Sequence, residues 1–160
     1  MDNLIYILVL LSAVGSGVMA GVFFIFSNTV MNALGQLPPA QGISSMVSIN
    51  RVILNPLFFV AFIGTAIVSA LVLISLIWFW GHSGSTYALL GSLIYIVGSF
   101  IVTIAFNVPR NEALDKVDPE TEQAKLLWDR YLKEWTMWNH VRTVACVLSL
   151  VSFLFAFRYW

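Results

Sequence analysis

The sequence predicts an all-α fold: a four-helix transmembrane bundle with an amphipathic helical segment in the loop before the fourth span. Three observations lead there. Of 160 residues, 59% are hydrophobic and 10% charged, with mean hydropathy +0.88, whereas soluble domains carry about 25% charged residues. No Asp, Glu, Lys or Arg occurs from Asn3 to Asn50 or from Val52 to Pro109. Each run exceeds the roughly 20 residues that cross a bilayer, and the second is long enough to cross twice. Glycine, serine and proline then punctuate the apolar sequence at intervals that leave four crossings.

The first span covers about residues 4–27 and ends in the linker Leu34-Gly35-Gln36-Leu37-Pro38-Pro39, where consecutive prolines cannot continue a helix. The second starts at Asn55-Pro56, with proline suited to a first helical turn, and runs over about 56–80. Gly81-His82-Ser83-Gly84-Ser85 reverses the chain into the third span, about 87–106. A helical loop follows over about 107–137, then the fourth span over about 138–157, with Arg158, Tyr159 and Trp160 as interfacial anchors. Together they read as a single transmembrane domain. Ala13, Gly17 and Gly21 lie four apart on one face, and Gly91 and Gly98 share another, so both faces are expected to pack closely on neighbouring helices. Val18-Met19-Ala20 has the small residues of a cleavage site. No Lys or Arg precedes it, however, and the apolar region exceeds the ~7–15 residues of a signal peptide, so the first span is expected to stay.

With four spans the termini and the 81–85 turn share one side. That side carries only Arg158, whereas the loops on the other carry Lys116, Lys125, Arg130 and Lys133 besides Arg51, Arg110 and Arg142. The positive-inside rule therefore places the two longer loops in the cytoplasm and both termini outside, as expected for a multi-pass protein of a bacterial inner membrane. Twelve of the sixteen charged residues lie between Arg110 and Glu134, five basic and seven acidic, so this segment is solvated. Its other face carries Trp128, Tyr131, Trp135, Trp138 and Arg142 at intervals of three or four. Such a stripe is either an interfacial aromatic belt or the wall of a site.

Polar groups gather at one end of this topology. Asn28 closes the first span. Asn50, Arg51 and Asn55 open the second, Asn107, Arg110 and Asn111 close the third, and Asn139, His140 and Arg142 open the fourth. Ionisable residues entering a membrane span are costly and mark candidate sites. His140 brings an imidazole that can take or give a proton, the arginines can stabilise an anion, and the carboxamides can donate and accept hydrogen bonds. His82 and His140 fall at opposite ends of the bundle and cannot share a metal, so neither a metal set nor a bis-histidine haem is expected, while a haem on His140 with a non-histidine axial ligand stays open. Cys146 is read as an apolar filler. No phosphate cradle, dinucleotide fingerprint, internal repeat or basic tail for nucleic acid occurs.

Several ordered motifs resemble the DUF1772, or anthrone oxygenase-like, family of integral membrane proteins. They are Gly21-Val22-Phe23-Phe24-Ile25-Phe26-Ser27, Val30-Met31-Asn32-Ala33-Leu34, Ile49-Asn50-Arg51, Asn55-Pro56, Asn107-Val108-Pro109-Arg110-Asn111-Glu112-Ala113-Leu114 and Trp135-Thr136-Met137-Trp138-Asn139-His140-Val141-Arg142. Fungal members of that family oxidise polyketide anthrones to anthraquinones. The resemblance implies oxidation of a planar aromatic or polyketide-like molecule with dioxygen as co-substrate and no protein-bound cofactor. An anthrone has an acidic C–H between two rings, and its carbanion can itself reduce dioxygen. His140 would take the proton and Arg142, with Arg110, would stabilise the anion. Asn50, Arg51, Asn55, Asn107, Asn111 and Asn139 would complete the binding surface, and Trp135 and Trp138 would stack on the rings. Two alternatives stay open: a non-catalytic membrane module binding a lipid, quinone or partner protein at the same mouth, and, less well supported, a transporter. Homo-oligomerisation is left open.

Overall fold

The computed structural model describes residues 2–160. Four of its helices are long and apolar enough to cross a membrane, as in an integral membrane protein: α1 (Asn3–Gly35), α3 (Pro56–Trp78), α4 (Ser85–Asp115) and α5 (Glu122–Tyr159). A further helix, α2 (Pro39–Val52), fills the expected linker between the first two spans. No strand occurs among the described residues. The bundle is all-α, as the composition predicts.

Helix ends follow local chemistry. Pro39 starts α2 in the first turn, where its missing N–H is not needed. Asn55 caps α3, accepting from the Phe58 amide at 3.1 Å while its Nδ2 donates to the Val52 carbonyl at 3.1 Å, so one side chain joins the end of α2 to the start of α3. Thr121 caps α5 by accepting from the Ala124 amide at 3.2 Å.

Three helices run beyond the expected spans, and α1 does so by continuing to Gly35. α4 continues through Asn107 to Asp115, and α5 is unbroken from the charged segment into the last apolar stretch. At ~1.5 Å per residue its 38 residues reach about 57 Å, far more than the ~30 Å hydrocarbon core, so a third or more of α5 stands outside it. The spans also contain wide π-helical turns, at Phe26–Val30 in α1, Val60–Gly64 in α3, and Ile96–Ile101 and Thr103–Asn107 in α4. The last meets Pro109, whose missing N–H falls where the hydrogen-bond ladder changes register.

Three apolar clusters stack along the bundle. Near the termini, Ile5, Val9, Val72, Leu76 and Phe153 interlock, and at midplane Met19, Phe23, Phe62 and Tyr95 do so. At the far end, α2 lays Ile43 and Met46 against Trp128, Tyr131, Trp135, Met31 and Leu114. The stripe of α5 is thus buried rather than spread as an interfacial belt: Trp128 stacks on Tyr131 at 5.6 Å and Tyr131 on Trp135 at 5.9 Å. Gly42 lets α2 approach, since a Cβ there would lie 2.7 Å from the Trp128 ring. The glycine expectation holds in α4, where a Cβ on Gly98 would lie 2.6 Å from Ala145, but not at Gly21, which has nothing within 4 Å. Ala13 is buried in the cluster near the termini and a Cβ on Gly17 would touch Leu150 at 3.5 Å, and the rest of the packed face of α1 comes from Ile5, Val9, Ser12, Ser16, Met19 and Phe23.

Candidate functional site

At the end of the bundle opposite both termini, α1, α2, α3, α4 and α5 enclose a cavity of about 310 Å³. Small-molecule pockets start at about 300 Å³. Arg142 forms its inner wall and is only 5% exposed. Its Nη1 donates to Thr103 Oγ1 at 3.1 Å and its Nη2 to Asn139 Oδ1 at 2.6 Å. The guanidinium carbon sits 4.2 Å from the centre of the Phe23 ring and 5.2 Å from that of Trp135. No carboxylate pairs with it among the described residues. A buried cation without a counter-charge is expensive.

Asn139 holds this cation in place. It is fully buried, and its Nδ2 donates to the Phe23 carbonyl at 2.7 Å and to Ser27 Oγ at 2.6 Å, which leaves Oδ1 turned to Arg142. It does not line the cavity. Asn107 does, anchored by Nδ2 to the Trp135 carbonyl at 3.2 Å. Four buried polar atoms of the lining have no protein partner: Arg142 Nε, Trp135 Nε1, Asn50 Nδ2 and Asn107 Oδ1. Buried polar groups are nearly always satisfied, so three donors and an acceptor left over in one cavity suit a polar ligand.

Asn50, Arg51 and Asn111 also line the cavity, and Asn111 Oδ1 accepts from the Tyr131 hydroxyl at 2.8 Å. At the rim, Arg51 Nη2 meets Asp115 Oδ1 at 2.7 Å, tying α2 to α4, and Glu112 lies nearby. The remaining expected residues fall elsewhere. Asn55 is occupied as the cap described above. Arg110 forks onto Glu134 Oε2 at 3.0 and 2.6 Å and donates to the Phe106 carbonyl, clamping α4 to α5. Hydrogen bonds from Arg130 and then Arg110 hold the Glu134 carboxyl below the usual carboxylate range. Trp138 stacks on Phe106 at 3.6 Å, away from the cavity.

His140 is exposed on the outer face of α5, beside Ile94, Val141, Val144 and Leu148, and does not line the cavity. The reason is helical geometry. At 100° per residue, a histidine two positions before Arg142 points about 160° away from it. Sequence reasoning missed Phe23 and Thr103, which hold Arg142, and Ser27, which fixes Asn139. Ser99, Thr103, Asn107 and Asn111 recur every four residues, a polar stripe that could have been read from the sequence. Among the described residues no three His, Cys, Asp or Glu side chains gather as a metal set.

Neither the curated proteins nor the solved structures contain a match to this chain. A family model described as anthrone oxygenase matches residues 56–152, from the start of α3 through most of α5. The match covers more than half of the chain and includes Arg142, Asn139, Asn107 and Trp135, and the chain belongs to the anthrone oxygenase (DUF1772) family.

Proposed function

We propose that the protein oxidises a planar, weakly acidic aromatic molecule with dioxygen in the cavity beside Arg142. The observation that carries this reading is the buried guanidinium without a carboxylate, facing a largely apolar cavity. A preorganised cation in a low-dielectric site stabilises an anion far more than the same cation in water. Family membership supplies the chemical class.

An anthrone methylene that loses a proton becomes an anion delocalised onto the ring oxygen. Arg142 and the Trp135 indole N–H stabilise that oxygen and so lower the acidity barrier at carbon. The carbanion gives one electron to dioxygen, the radicals join in a C–O bond, and the hydroperoxide loses water. The balance is CH2 + O2 → C=O + H2O, with no external reductant. His140 lies outside the cavity, so the proton leaves at the rim. Glu112 is the better acceptor there, because Asp115 is held by Arg51 whereas the nearest cation to Glu112 is Lys116 at 3.9 Å. The basic residues Lys116, Lys125, Arg130 and Lys133 favour a cytoplasmic location for this rim.

The test is oxygen uptake by the purified protein in lipid nanodiscs supplied with anthrone, compared with uncatalysed autoxidation. Uptake above that background should fall by about 100-fold in Arg142→Met, the usual loss when one donor to a developing oxyanion is removed. Wild-type uptake no faster than autoxidation would remove the oxygenase reading.

A further inference from the structure

The cavity is unevenly walled. Below it the seam between α3 and α4 is closed: Thr65–Phe79 packs on Ser85–Tyr95, and Phe62 meets Phe100 at 5.4 Å. Above that point the helices diverge. Pro56–Phe59 of α3 and Thr103–Asn107 of α4 form no packed seam, and the cavity occupies the gap between them. Leu54 and Phe58 edge this gap on one side and Val108 on the other. Leu54 is 59% and Val108 37% exposed. Leu57 and Val60 continue the same outward apolar surface along α3. Exposed aliphatic residues at the ends of two apolar spans belong against lipid.

The polar side of the rim differs. There the Arg51–Asp115 ion pair bridges α2 and α4, and both partners line the cavity. Of the spare donors, Arg142 Nε and Trp135 Nε1 are innermost, and Asn50 Nδ2 lies beside Arg51 on this polar side. Polarity therefore rises inward from the Leu54–Val108 gap, the reverse of a site filled from water.

From this we propose that the cavity is loaded sideways from the bilayer, through the gap between the start of α3 and the end of α4. It takes an amphipathic weak acid whose acidic oxygen enters first and stops at Arg142. This rests on the cavity being the substrate site, and it adds the route, the orientation and two gap residues, Leu54 and Val108. A molecule dissolved in lipid needs no aqueous transit, and its apolar body remains beside Phe58 and Leu54 while its oxyanion replaces no existing ion pair. Dioxygen, which also concentrates in lipid, shares the path.

The probe is anthraquinone-2-carboxylate, with its carboxamide as the uncharged isostere, added to the full chain in phosphatidylcholine nanodiscs. Tryptophan quenching gives affinity, and stopped flow gives rates. The acid should bind about tenfold to a hundredfold more tightly than the amide, the range for a hydrogen bond to a charged group, and this preference should vanish in Arg142→Met. Leu54→Trp and Val108→Trp narrow the gap from exposed positions. Each should slow association and dissociation together, by about tenfold, with little change in affinity. Leu54→Ala and Val108→Ala should speed both. Equal binding of acid and amide would overturn the orientation, and unchanged rates in all four gap variants would overturn the route. Absence of quenching by the acid at millimolar concentration would overturn both. Binding with these signatures but without oxygen uptake would remove the oxidation and keep the lateral route. Oxygen uptake with unaltered rates would do the opposite.

Discussion

The two ends of the bundle are built from similar apolar helices and solve packing in opposite ways. Near the termini, Phe153 is fully buried against Ile5, Val9, Val72 and Leu76, the Gly91 backbone lies on its ring, and Trp160 stacks on His82 at 4.9 Å. At the other end an additional helix, α2, is recruited, and the aromatic stack of α5 is buried beneath it, yet a cavity remains with a buried cation and unpartnered polar atoms on its wall. The filled end maximises contact. The hollow end keeps groups that are unfavourable for stability, the pattern expected where function competes with packing. Volume therefore governs substitutions at one end and charge those at the other.

That contrast can be broken most severely with a pair of variants. Phe153→Ala should destabilise the bundle by about 2 kcal/mol, the cavity part of the usual cost, because lipid already offers the ring an apolar surrounding. Arg142→Met should leave stability unchanged or raised, since replacing a buried charge with an apolar side chain is often neutral or stabilising. It should nevertheless abolish the preference for the carboxylate probe. Unfolding in sodium dodecyl sulfate read by circular dichroism checks both. A clear loss of stability in Arg142→Met would mean that the guanidinium is a structural tie and the hollow end is not specialised.

A smaller effect is expected outside the apolar spans, at the clamp between α4 and α5. Glu134 accepts from Arg130 at 2.6 Å and from Arg110, and its folded carboxyl lies below the ordinary value of 4.5. A carboxyl depressed in the folded state contributes stability above the unfolded value and loses it as pH falls through the folded one. Melting temperature should therefore drop more for the native protein than for Glu134→Gln between about pH 6 and pH 3. The pair is partly exposed, so the difference should shrink in high salt. Parallel pH curves would show that the clamp adds nothing to the hollow end.

Legibility in the sequence followed the physics at each point. Two uncharged runs and their Gly and Pro breaks specify four spans, because hydrocarbon thickness is a demand every crossing must meet. Helix α2 was also readable, from Ile43, Met46 and Val47 at helical spacing, but it lay in an uncharged stretch taken for a linker. The polar residues of the expected mouth share one end of the bundle. Which of them turn inward was legible only in α4, from the four-residue spacing of Ser99, Thr103, Asn107 and Asn111, because elsewhere it depends on rotation about each helix axis. Arg142, Asn107, Asn111, Asn50, Arg51 and Trp135 line the cavity. Asn55 and Arg110 were consumed by a cap and a clamp, both ordinary fates of polar residues at helix ends.

His140 supplies the finest test, because only one residue separates it from Arg142. A histidine near an arginine in a membrane helix suggests a base beside an anion site, and the motif reads that way in one dimension. In three dimensions the side chain lies on the outer face of α5 with Val141 and Val144, and the cavity is reached from the other side. No rotamer carries an imidazole across the helix that bears it. His140→Ala should therefore alter neither oxygen uptake with anthrone nor carboxylate-probe affinity by more than about twofold, a difference below 0.5 kcal/mol. A larger loss, at unchanged melting temperature, would mean that a second chain or a moving helix brings this face to the cavity, and the division between a functional and a lipid-facing side of α5 would have to be redrawn.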